Sequence, residues 1–277
     1  VGKIDTTAQK IQNPTGVAVD EQGNVYVTDG SDTPRVVKYD KDGNFVTEWG
    51  SRGSGEGEFE FIPANPEDGP TAGFVAVDKD GNVLVSDAYN GRIQKFDPDG
   101  NFLGQFGSMG TGDGQFDPPT AGPIYVDSQN NLYVSTFPRV QKFDADGNFL
   151  ASYGTAGTGE GEFNGAAMSA IDDEGNLYVA DLLSARMQKL DADGNFVLQW
   201  GGEAGTEPGQ LNMPVIAMLD SSGKLYVTDN TDRIQIFDTD GNFLDQWSTT
   251  GDGNPPLGGE IAGLTIDGQD NIYVLDS

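Results

Sequence analysis

A short phrase that returns at a fixed interval constrains this chain more than any other feature. Asp-x-Asp-Gly-Asn-Phe begins at Asp40, Asp97, Asp144, Asp191 and Asp238. From Asp97 onward each interval is 47 residues, while Asp40 to Asp97 is 57. A second phrase runs in phase with it: VDEQGNVYVTD from Val19, VDKDGNVLVSD from Val77, VDSQNNLYVST from Val126, IDDEGNLYVAD from Ile171, LDSSGKLYVTD from Leu219 and IDGQDNIYVLD from Ile266. A chain built this way is a repeat protein with one longer member.

One repeat, Ala72 to Gly107, shows what the unit builds. It holds four short apolar runs separated by turn residues, which reads as four strands. Phe74 to Val77 is nearly all apolar and is expected to be an inner strand buried on both faces. Phe102 and Phe106 stand four apart in the last run, as do Phe45 and Trp49, Phe149 and Tyr153, Phe196 and Trp200, and Phe243 and Trp247. They are expected on one face, where neighbouring blades can stack on them. In the third run Ile93 and Phe96 are three apart, which predicts a bulge or a strong twist there. Four strands in a unit of about 40 to 50 residues predict a β-propeller.

The repeated aspartates resemble the opening of a calcium loop, yet the residues read as hairpin chemistry. In Asp97-Pro98-Asp99-Gly100 the proline presets φ, the aspartate caps the turn and the glycine takes a positive φ. A calcium EF-hand would need a further oxygen ligand, a closing glutamate and flanking helices, and all are missing.

Composition removes whole classes of chemistry. The 277 residues contain no histidine and no cysteine. That eliminates the commonest general base, thiolate nucleophiles and disulfides. With 44 acidic against 15 basic residues the formal net charge is -29, which repels nucleic acid and anionic membrane. Neither nucleic-acid binding nor membrane insertion is expected, and lack of cysteine with an acidic, Gly-rich surface suggests an extracellular or cell-surface location.

GVAVDEQGNVYVTD followed by RVVKYDKDGNFVTEWG, with the linking GTGDGQFDPPT, resembles the NHL repeat of six-bladed β-propellers across essentially the whole chain. The resemblance implies an aspartate after the second strand and an arginine at the start of the third. Asp29 and Arg35, Asp87 and Arg92, Asp181 and Arg186, and Asp229 and Arg233 match; the third repeat keeps Arg139 but has Thr136 in place of aspartate. These pairs are expected to satisfy each other and backbone groups near a channel mouth. Peptidylglycine lyase-type and streptogramin lyase-type propellers depend on histidines, which this sequence lacks. Lactonase-type propellers hold a divalent ion with channel carboxylates and asparagines.

The expected fold is therefore all-β: a six-bladed propeller of four-stranded blades in a single domain over 1–277. By phase, Val1 stands where Phe106, Tyr153 and Trp200 end a fourth strand, and the sixth copy's third-to-fourth turn would fall beyond Ser277. Blade six, assembled from C-terminal strands and an N-terminal stub, is expected to be incomplete. Three explanations stand side by side: the molecule continues beyond these residues, a short blade is tolerated, or another copy adds a strand at the open edge (Val1, Lys3, Asn271, Tyr273 and Leu275). The crossover after the first repeat is about ten residues longer than its counterparts. Its residues Glu58, Glu60, Phe61, Pro63, Asn65, Glu67 and Asp68 are the expected partner-binding loop. The functional expectation is a non-catalytic module that binds a protein partner or copies of itself, as a homo-oligomer or filament. It carries no catalytic residue, no metal site and no cofactor, a channel calcium ion being the one exception left open. The alternative is a metal-dependent hydrolase or lactonase using channel carboxylates, and surface aromatics such as Tyr89 and Phe137 leave sugar binding without a specific pattern.

Overall fold

A computed structural model describes residues 11–63, 72–116, 122–248 and 261–276. Five antiparallel sheets of four strands follow one another along the chain, each in simple sequential order. Blade one comprises Pro14–Val19, Val25–Asp29, Arg35–Tyr39 and Phe45–Trp49, and blade two Gly73–Val77, Val83–Asp87, Arg92–Phe96 and Phe102–Phe106. Blade three comprises Ile124–Val126, Leu132–Thr136, Arg139–Phe143 and Phe149–Tyr153. Blade four comprises Ala166–Ile171, Leu177–Asp181, Arg186–Leu190 and Phe196–Gly201, and blade five Pro214–Leu219, Leu225–Asp229, Arg233–Phe237 and Phe243–Ser248. Ile261–Ile266 and Ile272–Asp276 form a separate two-stranded sheet. The architecture is a β-propeller of four-stranded blades, of which five are present in the described residues. Packing divides the chain into two compact units: Val1–Val134 with Lys142–Leu150, and Ser135–Gln141 with Ala151–Ser277.

Each blade hairpin is closed by aspartate. At the third-to-fourth turn Asp97 Oδ1 accepts the backbone N–H groups of Asp99 and Asn101, both at 2.9 Å, and Oδ2 accepts Asn101 Nδ2 at 2.8 Å. The N–H of Gly100 donates to Asp97 O, and Gly100 sits at φ 87°. The hydrogen bonds from Asn101, side chain first and backbone second, hold the Asp97 carboxyl below the usual carboxylate range. The first-to-second turn uses the same device, and Tyr26, Tyr133, Tyr178, Tyr226 and Tyr273 each add a phenol donor to the turn aspartate six residues before it. Burial, reinforced by Asp220, pushes the Tyr226 phenol up to about 12. In blade two Leu84 replaces that tyrosine, and Lys95 Nζ takes its place on Asp78 Oδ2 at 2.8 Å.

Neighbouring blades meet at these turns. A Cβ on Gly100 would lie 2.7 Å from the ring of Trp49, the last aromatic of the preceding blade. Phe106 covers Gly147, Tyr153 covers Gly194 and Trp200 covers Gly241 in the same way. Lysines from the third strands reach over to the same turns: Lys38 Nζ donates to Pro98 O at 2.9 Å and Lys95 Nζ to Ala145 O at 3.2 Å. The repeat glycine is thus required twice, once for its positive φ and once for the ring lying on it.

The aromatics do not share a face, contrary to the spacing. The third strands pair regularly, and the bulge lies on the fourth strand. Phe102 opposes Phe96 and Gly104 opposes Lys95, which leaves Leu103 as the extra residue. Val46, Val197 and Leu244 are bulged identically. One extra residue inverts the alternation beyond it. Phe102 therefore packs on Phe96 beside Trp49 of blade one, whereas Phe106 packs on Phe143 of blade three. Each fourth strand offers one ring to either neighbour. The bulged apolar residues face solvent, between 47 and 54% exposed, on an edge strand that the bulge makes a poor template for further pairing.

Two outcomes follow for stability. Gly100→Ala should cost about 3 kcal/mol or more, because the methyl meets Trp49 as well as the positive φ. Gly81→Ala, at φ 83° with nothing within 4 Å of the new Cβ, should cost only about 1 kcal/mol, and equal losses in urea unfolding would refute the double role. The pH response has a defined sign. Hydrogen bonds from the turn asparagines hold the carboxyls of Asp40, Asp97, Asp144, Asp191 and Asp238 below the usual carboxylate range, so they protonate more readily in the unfolded chain. Their contribution is complete above the usual carboxylate range and is lost as pH falls through the lower folded values. Urea midpoints should drop between neutral and strongly acidic pH, and Asp97→Asn should shrink the drop.

Candidate functional site

Within each blade the start of the first strand, the end of the second, the start of the third and the end of the fourth lie at one end, because successive strands are antiparallel. The Asp and Arg positions named from the sequence stand at that end. In blade two the side chain of Asp87 is fully buried and accepts hydrogen bonds from Glu60 N at 2.7 Å, Asn90 Nδ2 at 3.0 Å, Arg92 Nε at 2.7 Å and Gln94 Nε2 at 3.2 Å. Burial raises its pKa, opposed by the donors on Glu60, Arg92 and Asn90. Arg92 Nη2 extends the network to the carbonyls of Gly55 and Glu58, at 2.7 and 3.0 Å, and Nη1 reaches Gln105.

The network is a clamp on the incoming crossover. Blade four repeats it: Asp181 accepts Asn164 N, and Arg186 donates to Asp181 and to the carbonyls of Gly159 and Glu162. In blade five Asp229 accepts Asn212 N, and Arg233 donates to Gly205 O and Gln210 O. In blade one Asp29 accepts the Gln12 and Asn13 N–H groups, and Arg35 donates to Asp29 at 3.2 Å and to Glu48 at 2.9 Å. In blade three Thr136 Oγ1 donates to Arg139 O.

One clamp member escaped the sequence reading. Gln94, Gln188 and Gln235 are fully buried and bridge the crossover backbone; Gln94, for example, accepts from Gly57 N and donates to Glu58 O. Their signal was present, because Arg-x-Gln recurs at Arg92, Arg139, Arg186 and Arg233. Blade one has Val37 there.

The described part of the long first crossover is committed inward. Phe61 is fully buried and stacked on Phe59 at 5.0 Å; Glu58 Oε2 accepts Gly55 N, and Glu60 pairs with Arg52. Pro63 is buried, and Asn65, Glu67 and Asp68 lie outside the described residues, as do Val1 and Lys3. Asn271 and Tyr273 donate to Asp267 of their own turn, and Leu275 opposes Gly263. Among the described residues no three acidic side chains converge to hold a metal, and no helix is long and apolar enough to cross a membrane.

Because Asp87 is fully buried, removing its cation leaves an uncompensated charge. Arg92→Ala should therefore cost about 3 to 5 kcal/mol. Lys41→Ala, which breaks the exposed pair with Asp42, should leave stability essentially unchanged. Chemical denaturation of both variants checks the contrast, and similar losses would mean the clamp is not a buried network.

Comparison with known proteins adds the family and the fold. The NHL repeat family profile matches residues 12–39 and 72–96. Human NHL repeat-containing protein 3 is 33% identical over 120 residues, covering 41% of this chain and 31% of that protein. Peptidyl-glycine alpha-amidating monooxygenase A of Xenopus laevis is 36% identical over 98 residues, covering 33% of this chain and 10% of the relative. The matches thus span about a third and a tenth of these relatives. Among solved structures, a gluconolactonase from Xanthomonas campestris superposes with a TM-score of 0.64 at 17% identity, over 95% of this chain and 82% of that one. Virginiamycin B lyase from Staphylococcus aureus superposes at 0.63 and 13% identity, over 97% and 79%. A histidine-to-alanine form of that lyase is described as catalytically inactive. Enzymes among these neighbours overturn the expectation of a non-catalytic module, which had treated the lack of histidine and cysteine as a lack of catalysis. Residues 12–39 and 72–96 thus match the NHL repeat, on a β-propeller fold of four-stranded blades.

Proposed function

We propose that this chain is a propeller hydrolase acting on a lactone or related ester, with carboxylates doing the acid–base work. The observation that carries the reading is the combination of fold and composition. The neighbours include gluconolactonases and a lyase whose histidine-to-alanine form is inactive, and these 277 residues contain no histidine. Lactone hydrolysis needs a base to activate water and an acid for the leaving oxygen, roles that Asp and Glu can fill. The buried carboxylates of Asp87, Asp181 and Asp229 are consumed by the crossover clamps and are not available for this. Exposed acids stand in single second-to-third turns: Asp32 in blade one and Asp232 in blade five. The carboxylate groups described do not fit a metal centre, so no step is routed through one.

The same reading includes a sixth blade begun by Ile261–Ile266 and Ile272–Asp276. That pair repeats the first-strand bulge of blades one and five, and Tyr273 Oη donates to Asp267 as its counterparts do. An exported location fits the absence of cysteine and the acidic surface.

The test is hydrolysis of glucono-δ-lactone, γ-butyrolactone, γ-dodecalactone and p-nitrophenyl acetate, followed by pH-stat. Turnover of at least one lactone is expected, with Asp32→Asn or Asp232→Asn lowering it tenfold or more, by about the factor that general-base catalysis supplies. A folded protein that turns over none of the four defeats the reading. Loss of turnover in EDTA, restored by calcium, would bring in a divalent ion with ligands outside the described residues.

A further inference from the structure

Asparagine followed by glycine occurs twice in the sequence, at Asn90-Gly91 and Asn164-Gly165. Asparagine is thermolabile, and a glycine after it makes it more so. The glycine nitrogen attacks the side-chain amide carbon to close a cyclic imide, and no Cβ hinders the approach. The fold treats the two pairs differently. Asn90 Nδ2 donates to Gly53 O at 2.8 Å and to both carboxylate oxygens of Asp87 at 3.0 Å. Gly91 is buried, and its N–H donates to Ala88 O at 3.3 Å. The aspartate-glycine steps of the third-to-fourth turns are secured in the same manner, since Gly43, Gly100, Gly147, Gly194 and Gly241 each donate N–H to the carbonyl of the turn aspartate.

At the second pair only other parts of the backbone are fastened. Asn164 N donates to Asp181 Oδ1 at 2.7 Å, and Asn164 O accepts Leu183 N at 3.2 Å. Among the described residues neither the Asn164 side-chain amide nor Gly165 N has a hydrogen-bond partner. Both residues are half-buried, and the amide is not among the buried unpartnered groups, so it faces solvent. The corresponding asparagines of other clamps are followed by residues that block the attack. Asn13 N and Asn212 N bond to Asp29 and Asp229 in the same role, but Pro14 has no N–H to lose and Met213 crowds its nitrogen with a side chain.

We propose that Asn164 is a site of spontaneous covalent modification, converted to aspartate and isoaspartate through a cyclic imide with Gly165. Gly165 N forms a bond to Asn164 Cγ, the Cγ–Nδ2 bond breaks, and the amide nitrogen leaves as ammonia with the proton given up by Gly165 N. Water then opens the imide. Opening at the side-chain carbonyl gives aspartate, and opening at the backbone carbonyl gives isoaspartate, which routes the chain through Cγ and lengthens it by a methylene. That lengthening falls inside the blade-four clamp. Asn164 N is bonded to Asp181 and Gly165 O to Leu182 N, at 2.9 Å, and an extra methylene between them breaks their spacing. Either product also adds a carboxylate beside fully buried Asp181 in a chain of net charge -29. The clamp of blade four therefore loosens with age while its counterparts persist, whatever reaction the propeller catalyses.

The experiment ages the intact chain at mildly alkaline pH and follows both asparagines by peptide mapping, scoring isoaspartate by methyl transfer from S-adenosylmethionine with an isoaspartyl methyltransferase. Asn164→Gln is the control, because it keeps the clamp's backbone N–H and cannot close the same ring. Asn164 should convert at least about tenfold faster than Asn90, whose hydrogen bonds must open first. In urea, where neither is held, the two should convert at matching rates. The aged chain should show a lower urea midpoint, and the control aged alike should keep its own. No conversion at Asn164, or conversion at Asn90 that keeps pace with it in the folded chain, overturns the site. A difference that persists in urea traces to flanking sequence and overturns the structural argument, and equal midpoints for aged chain and aged control overturn the link to the clamp.

Discussion

The contact between a glycine turn and the ring lying on it is what the rest of the structure depends on. A blade is a small antiparallel sheet whose edges and faces are insufficient alone, and it is completed by the blade beside it. Trp49 on Gly100, Phe106 on Gly147, Tyr153 on Gly194 and Trp200 on Gly241 are four instances of one joint, and the lysines at positions 38 and 95 lock it by reaching the same turn backbone. The turn is rigid enough to receive a ring because its aspartate gathers the local N–H groups. Local hairpin chemistry therefore fixes the geometry between blades.

At the other end of a blade the crossover is fixed by the Asp, Arg and Gln clamp. Gly-rich segments such as 53–57 carry carbonyls that no sheet partner satisfies, and Arg92 and Gln94 provide the donors. This explains why buried aspartates recur without forming a catalytic or metal-binding cluster. Their oxygens are filled by design of the repeat, and what is free to act lies on the turns and first-strand starts that the repeat leaves variable.

Blade five is where that variability is concentrated. It combines a left-handed methionine, a bulged and exposed valine and an aspartate at φ 54° in the adjoining turn, Asp232, all close in sequence to the clamp. The left-handed Met213 departs from the glycine that blade four places there, whereas the first-strand bulge is shared with blades one and four and with the last strand pair.

The repeat period, the four strands per unit, the glycine turns and the Asp and Arg pairs were all legible in the sequence, since each depends on neighbours within about twenty residues along the chain. The Arg-x-Gln phrase was equally visible and went unread, because its purpose appears only when the crossover carbonyls it binds are brought beside it. The functional class was misjudged for a related reason: composition can exclude histidine chemistry, but it cannot show where the remaining carboxylates are free. What the tertiary structure alone decided was the side on which each ring falls. Spacing placed Phe102 and Phe106 on one face, and a single bulged residue, Leu103, sent them to opposite neighbours. Alternation along a strand is a local property of the sequence. A bulge is set by register against the partner strand, and register is determined only when both strands and the blades packed on them are in place.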